Sequence, residues 1–108
     1  MKFSKGLLVV AAVVPLLAGL NGCASKFIGT REGVERVSLA EESQIASCQS
    51  KGKITFSIFA KGRAEKEVEA NLYQMALNHA VDVGADTVVK GESPEFGKRT
   101  FAVYKCRP

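Results

Sequence analysis

The amino-acid sequence predicts a small α+β domain with two layers: a mainly antiparallel sheet, covered on one face by a single long helix. Two patterns carry this prediction. Residues 53–60 alternate apolar and polar side chains, as a half-buried strand does. Residues 64–83 repeat apolar side chains at helical spacing, and strand-like stretches lie on both sides of them. One amphipathic helix needs one sheet face to cover it.

The first 22 residues have the three parts of a secretory signal. Lys2 and Lys5 precede an apolar run at 7–17, which ends in small residues. The run is shorter than the roughly 20 residues of a spanning helix, and Pro15 interrupts it. An export signal over residues 1–22 is therefore expected.

The stretch Leu20-Asn21-Gly22-Cys23 resembles a lipobox, the site where a bacterial signal peptide is cut and the following cysteine is lipidated. Leu20, Gly22 and Cys23 fit the pattern, whereas Asn21 is larger and more polar than usual. The alternative is an ordinary signal peptide or an uncleaved anchor with Cys23 incidental. The lipobox predicts a membrane anchor at Cys23, a tether over residues 23–33 that holds the domain off the bilayer, and a folded domain over residues 34–108.

The three cysteines fit an exported protein. If Cys23 takes lipid, Cys48 and Cys106 remain, and an even remainder outside the cytoplasm predicts a disulfide. Lys2 and Lys5 leave with the signal, so the mature chain has 13 basic against 11 acidic residues. This mild balance does not indicate a nucleic-acid partner.

The helix and strands predicted for the domain follow from the spacing of apolar residues and from the glycines that interrupt it. Gly84 stands where a helix ending at Val83 would place its terminating glycine. Gly52 lies in a polar stretch typical of a hairpin turn. In chain order, the prediction is a strand at 34–40, a hairpin turn at 50–53, a strand at 53–60, a helix at 64–83, and strands at 85–90 and 99–106.

The chain shows no constellation typical of an enzyme, so no catalytic residue, metal or cofactor is predicted. His79 is the only histidine, and its place on the apolar helix stripe favours a packed side chain over a ligand or base. A metal site of Cys48, Cys106 and His79 is the alternative. Structural zinc takes four ligands, and export favours a disulfide.

Five basic residues are predicted to cluster along the hairpin and the start of the helix. They would either meet an anionic envelope component, such as lipid phosphates, or form a solvated edge that discourages strand pairing. The five are Lys51, Lys53, Lys61, Arg63 and Lys66.

Four stretches of the chain resemble parts of known envelope proteins: the lipobox, Cys48 with Lys51-Gly52, residues 80–89 and residues 102–106. The chain resembles small bacterial envelope lipoproteins with a domain of unknown function. It is more distantly similar to the RcsF family of outer-membrane sensor lipoproteins of the Rcs envelope-stress pathway. The pattern Ala-x-x-x-Gly-Ala-Asp-x-Val-Val is also similar to small proteins described as heavy-metal-associated. The lipoprotein resemblance implies a sheet with one helix and a cysteine that joins an early strand to the last.

Together these features predict a non-catalytic, lipid-anchored envelope protein that binds, senses or supports another envelope protein or anionic envelope component. Ala24 follows Cys23 where an inner-membrane retention signal would have aspartate. In a cell with two membranes, an outer-membrane location facing the periplasm is therefore expected. The alternative is a small ligand- or metal-binding module of the envelope.

Overall fold

A computed structural model describes residues 26–108; the predicted signal, the lipobox and Cys23 lie outside them. The elements are β1 (Ser38–Ala40), β2 (Gln49–Ser57), α1 (Glu65–Asp82), β3 (Thr87–Lys90) and β4 (Lys98–Lys105). The four strands form one sheet in the order β1-β3-β4-β2. β1 and β3 are parallel, while β4 is antiparallel to both of its neighbours. The predicted two-layer α+β fold is confirmed.

Helix α1 packs its apolar stripe on one face of the sheet. The stripe residues with no exposed surface are Val68, Leu72, Ala76 and Ala80. They share one core with three fully buried side chains of β3 and β4: Val88, Phe101 and Val103. The period of the stripe therefore predicted the buried face of the helix correctly.

The helix ends where the sequence predicts. Gly84 has φ 76°, a left-handed conformation that a side chain would disfavour. The N–H of Ala85 then donates to the carbonyl of Ala80 at 2.8 Å, and that of Gly84 donates to Val81 at 3.2 Å. This pair of bonds is a Schellman motif, which satisfies the last carbonyls and turns the chain into β3.

The hairpin turn predicted at residues 50–53 is wrong, because these residues lie inside β2. Ser50 pairs with Tyr104 and Gly52 pairs with Val103, so Lys51 is the extra residue of a β-bulge. Gly52 has φ 113° there. Glycine is favoured at this position because φ is positive, as it would be in a hairpin turn. The strand nevertheless continues through the bulge.

The first strand is shorter than the predicted 34–40. Residues Val34–Arg36 form a 3-10 turn, and β1 begins only at Ser38, whose N–H donates to the carbonyl of Asp86 at 3.0 Å. β1 is an edge strand, and Leu39 on it is 54% exposed. A second 3-10 turn, Glu42–Gln44, leads on toward β2.

The antiparallel pairing of β2 with β4 defines two ends of the domain. Gln49 opposes Lys105 at one end, which we call the disulfide end, and Ser57 opposes Lys98 at the other. The second end holds the connection from β2 to α1 and the loop from β3 to β4, so we call it the loop end. Helix α1 begins at the loop end and finishes at the disulfide end.

Candidate functional site

The predicted disulfide between Cys48 and Cys106 is confirmed, and it lies at the disulfide end of the domain. Cys48 directly precedes β2 and Cys106 directly follows β4, and the register of the two strands places them opposite each other. Their Cα atoms lie 4.4 Å apart, and 58 positions of sequence separate them. The bond therefore joins the beginning of β2 to the end of β4.

Asp86 fixes the residues that follow β4 by hydrogen bonds. Its carboxylate accepts the backbone N–H groups of Cys106 at 2.8 Å and Arg107 at 2.9 Å. The Thr87 hydroxyl donates to it at 2.8 Å, and Lys105 Nζ lies 3.4 Å away. Burial of the Asp86 side chain acts to raise its pKa, but these hydrogen bonds outweigh burial and hold the pKa well below its usual range.

Asp82 and Asp86, which flank Gly84 in sequence, have separate roles. Asp82 forms an exposed ion pair with Arg31 at 2.9 Å. Asp86 is 8% exposed and accepts the backbone N–H groups of Cys106 and Arg107. The two aspartates therefore have different partners, and each carboxylate has a structural role.

The described part of the predicted tether lies along helix α1. The Asn71 side-chain oxygen accepts the backbone N–H groups of Phe27 at 2.8 Å and Ile28 at 3.2 Å. One turn before the helix ends, the Asn78 amide donates to the carbonyl of Gly29 at 2.8 Å and accepts the Arg31 N–H at 3.0 Å. The segment thus pairs its backbone with amide side chains of the helix.

Sequence reasoning missed these amide residues. Asn71, Gln74 and Asn78 are spaced i, i+3 and i+7, so they share one face of α1 beside the apolar stripe. Gln74 Nε2 donates to Asn78 Oδ1 at 3.0 Å and connects the two asparagines. The sequence does show a row of amide side chains at helical spacing, and this row could have indicated that another segment of the chain packs on that face.

Replacing Asn71 with alanine should release the start of the segment. Asn71 has no exposed surface, and the change removes the acceptor of two backbone N–H groups. We expect a loss of about 2 kcal/mol in the free energy of unfolding, because two hydrogen bonds worth about 1 kcal/mol each are lost. Amide hydrogen exchange should show Phe27 and Ile28 losing protection, while Lys66→Ala, an exposed change on the same helix, should leave them protected. Unchanged protection in Asn71→Ala would contradict the docking of this segment.

His79 is a half-buried packing residue in the last turn of α1. Its ring meets the ring of Phe56 edge-on, with centroids 5.9 Å apart. Cys48 and Cys106 are bonded to each other, which leaves neither thiolate for a metal site with His79. Among residues 26–108, no three or more His, Cys, Asp or Glu side chains are grouped to hold a metal.

The prediction of one basic cluster is wrong, because the bulge keeps Lys51 and Lys53 within β2. From Lys53 to Ser57 the strand advances about 13 Å toward the loop end, where Lys61 and Lys66 lie. Arg63 at that end pairs with Glu67 at 2.6 Å. The five basic residues therefore belong to two separate surfaces.

Lys53 lies on the sheet face opposite the helix, which we call the open face. The register pairs Lys53 with Ala102 and Thr55 with Thr100, whose hydroxyl oxygens are 2.6 Å apart. A shallow groove of about 410 Å³ crosses this face, with acidic and basic side chains around Tyr104. The charged residues of the groove are Glu42, Lys53, Lys90 and Glu92.

Comparison with known proteins identifies no relative of this chain. No family model, no curated protein and no solved structure matches the chain. Within residues 26–108, no helix combines the length and the apolar character required to cross a membrane.

Proposed function

We propose that the protein is a non-catalytic, lipid-anchored lipoprotein of the bacterial envelope, which binds, senses or supports another envelope component. The observation that carries the proposal is the pairing of the cysteines. Cys48 and Cys106 form a disulfide, as proteins of oxidising compartments do. The third cysteine is Cys23, which ends the lipobox pattern after an export signal.

The packing of the N-terminal segment supports the anchor. Phe27, four residues after Cys23, is held on Asn71 of the helix. A lipid on Cys23 would then hold the whole domain near the membrane, on the periplasmic side of the outer membrane if Ala24 directs sorting. Confinement of this kind raises the effective concentration of partners in the same compartment. The similarity to small envelope lipoproteins and, more distantly, to the RcsF family agrees with such a role.

The open face is the surface we assign to the envelope partner. Helix α1 covers the other face, and the groove around Tyr104 offers both signs of charge with two strand hydroxyls nearby. A mixed surface of this kind suits a polar contact with a protein or an anionic envelope component, because charge complementarity sets orientation and partner choice.

Complementation of a deletion strain tests the function, scored as survival under envelope stress. Lys53→Glu should weaken complementation, because it reverses a charge in the groove. Glu35→Lys, an exposed charge reversal in the 3-10 turn before β1, serves as the control and should complement fully. Equal survival with Lys53→Glu and the wild type would remove the open face as the contact surface.

His79→Ala tests the non-catalytic part of the proposal. The change removes the contact with Phe56 and should lower the melting temperature, but any loss of complementation should follow the amount of folded protein. Immunoblotting and thermal melts provide that normalisation. A His79→Ala protein that stays folded and abundant but fails to complement would point instead to a ligand-binding or catalytic imidazole.

A further inference from the structure

Three exposed phenylalanines are concentrated at the loop end. Phe59 is 72% exposed, Phe96 is 51% exposed and Phe27 is 48% exposed. Among residues 26–108 the one other exposed large apolar side chain is Leu39, on the edge strand β1. Single exposed apolar residues are ordinary, but several on one end of a small domain indicate a contact surface.

The connection after β2 brings the backbones of Phe59 and Phe96 close together. The Ile58 N–H donates to the carbonyl of Gly97 at 2.9 Å. Gly97 has φ 93°, and a Cβ added there would lie 2.9 Å from the Cβ of Ala60. The glycine therefore lets the loop before β4 pack directly on residues 58–60, so that the two phenylalanines are neighbours on the backbone.

Phe27 reaches the same end from the N-terminal segment. The Arg63 N–H donates to the carbonyl of Ala60 at 3.0 Å, just before α1 begins. The Arg63 guanidinium lies 4.4 Å from the centroid of the Phe27 ring. This cation–π contact, together with the Asn71 hydrogen bonds, holds Phe27 at the start of the helix.

The position of Cys23 decides what this surface faces. Cys23 precedes Phe27 by four residues, which span at most about 14 Å when fully extended. Phe27 is fixed on the helix, so a lipid on Cys23 brings the loop end of the domain to the bilayer. This step rests on the lipid anchor proposed above.

The loop end has a small excess of positive charge. Lys26, Lys61, Lys66 and Lys90 are exposed, as are Glu65 and Glu92. The remaining cations of this end are paired, Arg63 with Glu67, Lys98 with Glu95 and Arg99 with Glu69. Attraction to anionic lipid is therefore modest. Beyond the acyl anchor on Cys23, the phenylalanines supply most of the domain's own affinity for the membrane interface.

We infer that Phe27, Phe59 and Phe96 form a membrane-docking surface, which seats the loop end in the interfacial region of the bilayer beside the lipidated Cys23. The open face then lies roughly perpendicular to the membrane plane, and the disulfide end points away from the membrane. The domain is thus held in one orientation instead of rotating freely about its anchor.

The absence of tryptophan from the chain makes this inference directly measurable. Phe59→Trp and Phe96→Trp each introduce a single indole at the proposed surface, and Leu39→Trp introduces one at the exposed far edge of the sheet. The acylated protein would be reconstituted into zwitterionic phosphatidylcholine vesicles with lipids brominated near the headgroup. Thermal melts would confirm that each variant folds.

We expect blue-shifted emission and loss of most fluorescence to the brominated lipid in Phe59→Trp and Phe96→Trp, with little dependence on salt. Leu39→Trp should be neither shifted nor quenched. Acylated protein in which the loop-end indoles stay unquenched, or in which all three are quenched equally, would overturn the docking and leave the anchor intact. An unacylated Cys23, found by intact mass, would instead overturn the anchor and the docking with it.

Discussion

Replacing Cys48 and Cys106 together with serine should lower the free energy of unfolding by about 4 kcal/mol, because the bond closes a long loop in the unfolded chain. For a domain of this size such a loss corresponds to a fall of about 20 °C in the melting temperature. The described domain is small enough for one covalent link to supply a large share of its stability.

Thermal melts with and without reductant test this expectation. Wild-type protein taken from the envelope should have no free Cys48 or Cys106 thiol under alkylation. Reductant should lower its melting temperature to that of the double serine variant, which should not respond to reductant itself. Two readily alkylated thiols in the native protein, or a double variant as stable as the wild type, would refute the structural role of the bond.

Asp86→Asn should cost about 3 kcal/mol near neutral pH, because charge-assisted hydrogen bonds are among the stronger ones and an amide cannot accept from all the donors at this site. The new NH2 group would also face backbone N–H groups that need an acceptor. The matched control is Asp82→Asn, whose exposed ion pair with Arg31 should contribute less than about 1 kcal/mol.

The pH dependence of this difference follows from the lowered pKa of Asp86 in the folded protein. A carboxyl with a depressed folded pKa contributes its full stability above its unfolded pKa of about 3.9, and loses it as the pH falls toward the folded value. The gap between wild type and Asp86→Asn should therefore be constant above about pH 5 and shrink below about pH 4. Urea unfolding across the acid range measures the gap, and a gap that does not change with pH would contradict the charged role of Asp86.

Strong local periods were sufficient to predict the fold class and the helix. The apolar stripe of α1 and the alternation in β2 report directly which side chains are buried. Gly84 ends the helix by a local rule that needs no tertiary contact. Cys48 and Cys106 were paired by counting cysteines, which depends on the compartment and not on the geometry of the strands.

The errors arose where one local signal serves two structures. Gly52 has positive φ in a bulge, and a hairpin turn asks for glycine in the same way. Only the partner strand β4 distinguishes the two, and sequence alone does not show the register. The supposed basic cluster depended on that turn, so it was wrong for the same reason.

The candidate surfaces were harder to predict because they join distant segments. Asp86 looks like an ordinary strand-start residue until the end of β4 is placed beside it. The glycine-punctuated segment before the domain has little pattern of its own, and its hydrogen bonds come from Asn71 and Asn78 more than 40 positions later. Phe59 and Phe96 become neighbours only through the contact of Gly97 with residues 58–60.

The lipid anchor is the central claim, and mass spectrometry of the N-terminal peptide from envelope-derived protein tests it most directly. The account predicts a mature chain that begins at Cys23 and carries acyl chains there, and an unprocessed precursor for Cys23→Ser. A mature chain that keeps Met1, or that begins elsewhere with Cys23 unmodified, would contradict it.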